Sequence, residues 1–382
     1  MRTVSEDVTA WTLIALSNLI KFGMSYITAI GTATPPNKFS QSVIADFMVK
    51  AMQLDEADAR KLRALYRATG IESRYSVLAD YGRSGGYEFY ANSGDLMPMP
   101  TTKKRLELFR KHAVELSCEA ARRALHSVTP KEITHLVVVS CTGLYAPGLD
   151  IDVIKALGLR PDVQRTAINF MGCYAAFNAL KVADSFCGND ADAKVLIICT
   201  ELCSLHFQNE NTQDNMLANA LFGDGSASLV VEGRARKGLN LKPEVFRCDL
   251  ATNGEEDMAW TVGDVGFEMK LSSYVPDIIQ SGIKELTAKL LNGADVNYFA
   301  IHPGGKRILE VIEKELGLSH EQNAYAYGVL KNYGNMSSAT VIFVLQELCK
   351  DLNGVDDNKK ILSFAFGPGL TMESMLLSIV NA

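Results

Sequence analysis

Cys173, His302 and Asn335 are residues whose side chains could do chemistry together. A thiolate can attack a carbonyl carbon, an imidazole can pair with that thiolate, and an amide can donate a hydrogen bond to a developing oxyanion. The three residues are far apart in the chain, so the fold must bring them together. Their types predict a nucleophilic site with a cysteine at its centre.

Cys173 lies where a short apolar run ends at Gly172 and an alanine-rich helical pattern begins. This order predicts a thiol on a tight strand-to-helix turn, at the positive end of a helix dipole. Such a position favours thiolate, so we expect a lowered cysteine pKa. Most cysteines are buried structural residues, and this stretch alone leaves that alternative open.

The two candidate partners each have a simpler explanation. His302 ends an apolar strand pattern, and the glycines behind it, Gly304 and Gly305, let backbone or a ligand approach closely. Asn335 stands after Gly334 and before a helical pattern. Asparagine is a good helix N-cap, so on its own Asn335 is better explained as a cap than as a catalytic amide.

An internal duplication relates the two halves of the chain. His135–Gly143 and Asn297–Gly305 each read as a strand that ends in a glycine-bearing loop, and a helix closing on Leu-Gly-Leu follows each. The period is too long for a solenoid. Equivalent loops of two similar halves emerge side by side, so Cys173, His302 and Asn335 are predicted to meet in one site.

Strand and helix patterns alternate over most of the chain and predict an α/β fold. Continuous β-branched runs, as at His135–Cys141, are typical of strands covered on both faces. We expect an N-terminal extension over residues 1–24, an N-terminal half with the cysteine over 25–235, and a C-terminal half with the histidine and asparagine over 236–382.

Composition narrows the class of protein. The 382 residues are 47% hydrophobic and 21% charged, which is ordinary for a globular protein. A net charge of -6 without a long basic run disfavours nucleic acid as a partner. The eight cysteines form no Cys-x-x-Cys pair, which disfavours a metal site, and indicate reduced thiols in a cytoplasmic protein. The apolar run Trp11–Ile20 is too short to span a membrane.

Five motifs occur in a fixed order along the chain. They are Met171-Gly-Cys-Tyr-Ala-Ala176, Ala220-Leu-Phe-Gly-Asp-Gly-Ser226, Ile301-His-Pro-Gly-Gly305, Tyr333-Gly-Asn-Met-Ser-Ser-Ala339 and Phe366-Gly-Pro-Gly-Leu370. Together they closely resemble the type III polyketide synthases, the chalcone-synthase-like family of the thiolase superfamily. The resemblance runs from about Ser25 to the C-terminus.

The resemblance implies a duplicated, thiolase-like fold of five αβαβα layers that forms a homodimer. It implies Cys173 as the nucleophile that carries an acyl-CoA starter and the growing chain. His302 and Asn335 would activate the thiol and stabilise the enolate left when malonyl-CoA loses carbon dioxide. A Claisen-type attack would then extend the chain, with no metal and no cofactor beyond the CoA thioester substrates.

The resemblance also implies substrate-binding positions. They are Lys61, Arg63 and Arg67 near the CoA phosphates, Gly304 and Gly305 along the pantetheine, Phe222 and Phe267 as gatekeepers, and Cys141, Cys203, His206, Met258 and Ser337 on the cavity wall. For either phenylalanine alone core packing is favoured, and the default for the three basic residues is a solvated helix face. His206 is equally well explained as a group that orients the polyketide or as a satisfied buried histidine.

The cysteine-rich cavity wall is more similar to bacterial members of the family, which make acylpyrones, alkylresorcinols or small phloroglucinol-type rings. An enzymatic alternative is a ketoacyl-ACP synthase III, but that family usually carries Gln-Ala-Asn after its histidine, where this chain has Pro303-Gly304-Gly305. A cysteine hydrolase or thioesterase is the alternative of another class, and the duplicated pattern disfavours it. The starter, the number of extensions and the mode of cyclisation do not follow from the sequence.

Overall fold

The structure is a computed structural model that describes residues 24–251, 254, 257–272 and 274–382. All of the expected extension except Met24 therefore lies outside the described residues. None of the helices in the described part of the chain is long and apolar enough to cross a membrane.

Thirteen strands and ten α-helices form the described part of the chain. The strands are β1 (Tyr26–Ala33), β2 (Asn37–Ser40), β3 (Ser73–Ser76), β4 (His135–Ser140), β5 (Gln164–Asn169), β6 (Lys194–Leu202), β7 (Asp224–Glu232), β8 (Leu239–Leu250), β9 (Met258–Gly263), β10 (Gly266–Leu271), β11 (Tyr298–Ile301), β12 (Lys360–Gly367) and β13 (Thr371–Asn381). The helices are α1 (Gln41–Ala51), α2 (Glu56–Ala68), α3 (Thr102–Ala124), α4 (Leu149–Leu157), α5 (Ala175–Asn189), α6 (Gln213–Leu221), α7 (Val275–Leu291), α8 (Lys306–Leu316), α9 (Ala324–Tyr333) and α10 (Thr340–Asp351).

Nine of the strands form one sheet, in the order β11-β12-β13-β8-β1-β7-β6-β4-β5. In the first half, β4 runs parallel to β5 and β6, and β7 is antiparallel to β6 and β1. In the second half, β11 runs parallel to β12, and β13 is antiparallel to β12 and β8. The series β4-β6-β7-β1 thus repeats as β11-β12-β13-β8, which confirms the predicted duplication. The halves join through one pair, Ile27 of β1 and Leu241 of β8.

The helices complete five layers. α5 packs on strands of both halves, β6 and β13 among them, and α10 likewise packs on β1, β7 and β11. The two helices therefore form the central layer. α3 packs on β1, β6 and β7, whereas α7 packs on β8 and β13. This arrangement is the predicted αβαβα architecture.

Side chains of β4 alternate between two cores. Leu136 and Val138 belong to the core that includes α3, whereas Val137 and Val139 belong to the core around α5. All four are buried. A strand between two helical layers needs apolar residues on both faces, so the continuous run that predicted a doubly covered strand is confirmed.

The Leu-Gly-Leu signals mark the ends of equivalent helices. α4 stops at Gly158 and α8 at Gly317, and both glycines are left-handed, with φ of 65° and 67°. Glycine reaches this conformation without a steric penalty, which is why it ends helices so often. The predicted boundary at residue 235 falls between β7 and β8 and stays a prediction.

The sequence interpretation left two features out. β9 and β10 form a separate antiparallel hairpin, and β2 pairs with β3 in a second small sheet. The strands β2 and β3 have only four residues each, and in β9 exposed and buried residues do not alternate, so the sequence carries little of the period that identifies a half-buried strand.

Candidate active site

Cys173 lies on the turn between β5 and α5, as the sequence predicted. Phe170 and Gly172 have positive φ angles of 59° and 81°, which turn the chain sharply after the strand. A Cβ on Gly172 would lie 2.1 Å from Cδ of Pro368. Glycine is therefore needed here, because the Phe-Gly-Pro-Gly loop of the second half packs directly on the cysteine turn.

Asn335 approaches Cys173 from the other half of the chain. Its Oδ1 accepts a hydrogen bond of 2.8 Å from the Ser337 backbone N–H. That bond orients the amide, so Nδ2 donates to the Gly304 carbonyl at 3.2 Å. Both Nδ2 and Oδ1 lie 3.9 Å from Sγ of Cys173. The side chain thus bonds locally, as a cap does, and also presents an N–H to the thiol.

His302 follows β11 and is fully buried, and neither ring nitrogen has a hydrogen-bond partner among the described residues. Burial lowers its pKa to about 3, so the imidazole is neutral at physiological pH. Burying a polar group without a hydrogen-bond partner lowers the stability of the fold. Proteins retain such groups mainly at functional sites. A Cβ on Gly304 would lie 3.7 Å from Nε2 of His302, so this glycine leaves room beside the ring.

The expected lowering of the cysteine pKa is wrong for this arrangement. Burial raises the pKa of Cys173 to about 12, and hydrogen bonding with Ser337 and Asn335 offsets only part of the rise. The thiol is buried and α5 begins two residues later, at Ala175, so desolvation outweighs the helix dipole. The resting pair is a neutral thiol and a neutral imidazole.

One cavity of about 570 Å³ contains all three groups. Its lining includes most of the substrate-binding positions expected from the sequence: Phe222, Phe267, Cys141, Cys203, His206, Met258, Ser337, Gly304 and Gly305. Most of the whole wall is apolar, and four methionines contribute to it: Met48, Met216, Met258 and Met269. The site is therefore a largely apolar cavity around a thiol.

Lys61, Arg63 and Arg67 do not line this cavity. Lys61 pairs with Asp58 at 2.8 Å, and Arg63 pairs with Asp46 at 2.9 Å. The helical period turns other residues of α2, among them Leu65 and Ala68, toward the cavity. The helix α2 therefore contributes to the cavity wall, but its three basic residues lie on another face of the helix.

Three basic residues that the sequence interpretation missed line the cavity: Arg74, Lys306 and Arg307. Lys306 and Arg307 begin α8 directly after Gly305. Lys306 lies 3.4 Å from Glu310, and Arg307 lies 3.3 Å from Asp277. The sequence offered one signal for their position: Lys306 and Arg307 directly follow the Pro-Gly-Gly loop, which was expected to lie along the substrate.

His206 has both ring nitrogens occupied. The Phe267 N–H donates to Nδ1 at 3.0 Å, so Nε2 carries the proton and donates to the Thr142 carbonyl at 2.7 Å. The ring stacks on that of Phe267 with centroids 4.1 Å apart, and burial lowers the His206 pKa to about 3. This geometry favours a satisfied buried histidine over a group that orients the polyketide.

Glu201 is a buried carboxylate that the sequence interpretation did not single out. It accepts hydrogen bonds from the Cys141 N–H at 2.9 Å, from Thr142 Oγ1 at 2.8 Å and from the Ser338 hydroxyl. It thereby ties the loop after β4 to the segment that carries Asn335. An acidic residue inside the apolar run of β6 was the signal for it.

We expect Glu201 to make stability depend on pH. Burial raises its pKa from 4.5 to about 6, so the folded protein holds this proton more tightly than the unfolded chain does. The stabilising effect is present below pH 4.5 and is lost as pH rises through about 6. As pH rises from 4.5 to about 6, the free energy of unfolding of Glu201→Gln should therefore increase by about 2 kcal/mol relative to that of wild type. Denaturant unfolding of both proteins at several pH values measures the difference, and a constant difference would contradict the assignment.

Among the described residues, no group of three or more His, Cys, Asp or Glu side chains is placed to hold a metal ion. All eight cysteines are free, and six of them are buried.

A duplicated α/β fold with a thiol, an imidazole and an amide in one apolar cavity defines an acyl-transferring enzyme of the thiolase type.

Comparison with known proteins places the chain within that class. Residues 17–234 match the N-terminal domain model of the chalcone and stilbene synthases, and residues 247–381 match the C-terminal domain model. The chain belongs to this family, the type III polyketide synthases, which are malonyl-CoA-dependent acyltransferases.

Individual relatives agree with the family models. The chain is 33% identical to the alpha-pyrone synthesis polyketide synthase-like Pks18 of Mycobacterium tuberculosis over 370 residues, 94% of this chain and 92% of that protein. It is 31% identical to bisdemethoxycurcumin synthase of Oryza sativa, with 93% of this chain and 92% of that protein covered. The crystal structure of PKS-I from the brown alga Ectocarpus siliculosus superposes with a TM-score of 0.88 at 32% identity, covering 94% of this chain and 99% of that one.

Proposed function

We propose that this protein condenses an acyl-CoA starter with malonyl-CoA by decarboxylative Claisen extension on Cys173. The product would then cyclise to a pyrone, a resorcinol or a phloroglucinol-type ring. The observation that carries the proposal is the single apolar cavity in which Cys173, His302 and Asn335 meet. The alpha-pyrone named for the mycobacterial relative supports a ring product of this kind.

Loading of the starter needs a proton acceptor, because the Cys173 thiol is neutral at rest. The unpartnered imidazole of His302 takes the thiol proton as sulfur attacks the thioester carbonyl. The carbon–sulfur bond to CoA breaks, and the imidazolium returns the proton to the departing CoA thiolate. Cys173 then carries the acyl group, and His302 is neutral again.

Decarboxylation of malonyl-CoA follows on the loaded enzyme. The bond to the carboxylate breaks, carbon dioxide leaves, and its electron pair forms an enolate on the thioester. The oriented Nδ2 of Asn335 and an N–H of His302 can donate to that oxygen. The cavity is largely apolar, and such donors are strongest where water is excluded.

Chain extension closes the cycle. The enolate carbon attacks the acyl carbonyl on Cys173, a carbon–carbon bond forms, and the carbon–sulfur bond to Cys173 breaks. The freed thiolate accepts the lengthened chain back from CoA for another round. The wall offers methionines and aromatic rings such as Met258 and Phe267, which fits an uncharged starter and supports no single acyl group over the others.

A product assay tests the proposed function. The purified protein would receive malonyl-CoA with short, aromatic and long acyl-CoA starters, without carrier protein, and mass spectrometry would follow the products. We expect triketide or tetraketide products that have cyclised. Strict dependence on acyl carrier protein with one condensation would contradict the proposal, and so would hydrolysis of the acyl-enzyme without extension.

The proposal includes a homodimer in the cytoplasm that needs no cofactor beyond its CoA substrates. β5 is an edge strand of the nine-stranded sheet. The exposed apolar residue Met171 follows it in the chain, and the exposed Leu144 follows β4, the strand that pairs with β5. An uncovered edge with apolar neighbours supports pairing with a second copy. Sedimentation velocity should show a dimer at micromolar concentration, and a monomer at that concentration would contradict the proposed dimer.

Undiminished turnover after dialysis against a chelator would agree with metal-free chemistry. Loss of turnover that an added metal restores would refute it.

A further inference from the structure

Arg74 of β3 is a buried arginine on the wall of the active-site cavity. It is 4% exposed. Its Nη1 donates to the Asn219 carbonyl at 2.8 Å and to the Phe222 carbonyl at 2.5 Å, and its Nε donates to Oε1 of Gln41 at 2.9 Å. The guanidinium therefore binds the C-terminal end of α6, where a cation is favoured by the helix dipole.

The remaining carbonyls at this end of α6 also find partners. The last carbonyls of a helix have none within it. Gln41, held by Arg74, donates from Nε2 to the Ala220 carbonyl at 2.8 Å. The backbone N–H of Asn335 donates to the Leu221 carbonyl at 2.9 Å. The backbone of Asn335 is thus part of the same cap as the arginine.

Arg74 also packs against the residue before Asn335. A Cβ on Gly334 would lie 2.8 Å from Cδ of Arg74 and 2.8 Å from the Leu221 carbonyl oxygen. Gly334 has a positive φ of 69°. A side chain at position 334 would therefore clash with the stem of Arg74 and with the end of α6.

We propose that Arg74 is a positioning residue that keeps the gate residue Phe222 and the amide of Asn335 in register. The inference rests on the proposed function. Phe222 and Asn335 are paired through their backbones, so releasing the carbonyl of one also releases the other. Decarboxylation needs the Asn335 amide at a fixed place, whereas loading of Cys173 needs the thiol and His302. Loss of Arg74 should therefore slow decarboxylation more than it slows loading of Cys173.

The test compares Arg74→Ala with wild type in two assays. Intact-protein mass spectrometry measures acylation of Cys173, and release of acetyl-CoA from malonyl-CoA measures decarboxylation. We expect decarboxylation to fall by about 10 to 100-fold while acylation stays near the wild-type rate. Millimolar guanidinium chloride should restore part of the decarboxylation. An equal fall in both assays, or none, would overturn the inference.

Arg105 provides a matched control. Like Arg74 it is buried and donates to backbone carbonyls, here those of Pro100, Leu205 and Phe207, but it does not line the cavity. Arg105→Ala should lower Tm without changing the ratio of the two activities. If Arg74→Ala does not fold, Arg74→Lys keeps the charge with one terminal nitrogen, and a selective loss of decarboxylation is still expected. A wild-type protein without decarboxylation would contradict the proposed function instead.

Discussion

Replacement of Cys173 by alanine is expected to abolish acyl-enzyme formation and chain extension. Without the thiol no thioester can form, and the loss of a nucleophile costs at least about 10⁴-fold. Decarboxylation of malonyl-CoA should persist, because it depends on His302 and Asn335 rather than on sulfur. The two activities can be measured on one preparation, by product mass spectrometry and by acetyl-CoA release.

Cys118 offers the matched control for this variant. It is a buried, free cysteine of α3 and does not line the cavity. Cys118→Ala should keep both extension and decarboxylation. Polyketide formation by Cys173→Ala would contradict the nucleophile assignment, and loss of both activities in Cys118→Ala would show that the assays respond to packing rather than to chemistry.

Replacement of Asn335 by alanine is expected to have the opposite pattern. Removing one oxyanion donor typically costs about 10²–10³-fold, so decarboxylation should fall by that factor. Acylation of Cys173 should fall much less, because His302 still accepts the thiol proton. Rapid-quench measurement of acylation, together with steady-state release of acetyl-CoA, separates the two effects.

Asn332 serves as the control for Asn335. It is exposed on α9, and its Nδ2 donates only to the Gly328 carbonyl. Asn332→Ala should therefore leave both rates unchanged. Undiminished decarboxylation in Asn335→Ala would remove the amide from the proposed mechanism. A proportional loss of both steps would instead indicate a collapsed site.

Much of the architecture could be predicted because it repeats and because its core strands are apolar. The equivalence of β4 and β11 in the two halves followed from local pattern alone, and it predicted that three distant residues would meet in one cavity. Asn335 shows why the repeat mattered. Its local bond to Ser337 is what any capping asparagine makes, and only the opposite half supplies the thiol.

What could not be predicted depends on contacts between distant segments. The pKa of Cys173 was expected to be lowered by a helix terminus, yet enclosure by the second half raises it. Arg74 and Glu201 carry no local signal of their role, because their partners are carbonyls and hydroxyls far along the chain. The sequence could also not show that the basic residues of α2 lie off the cavity wall. Composition identified the helix, but its orientation depends on tertiary packing.

The most direct test of the central claim follows a single acyl group on the protein. Wild-type enzyme would be loaded with one starter acyl-CoA, given isotope-labelled malonyl-CoA, quenched rapidly and analysed by peptide mass spectrometry. We expect the starter and then its labelled, lengthened forms on the peptide that contains Cys173. A starter that leaves Cys173 by hydrolysis without ever gaining label, or label attached only at another residue, would contradict the account.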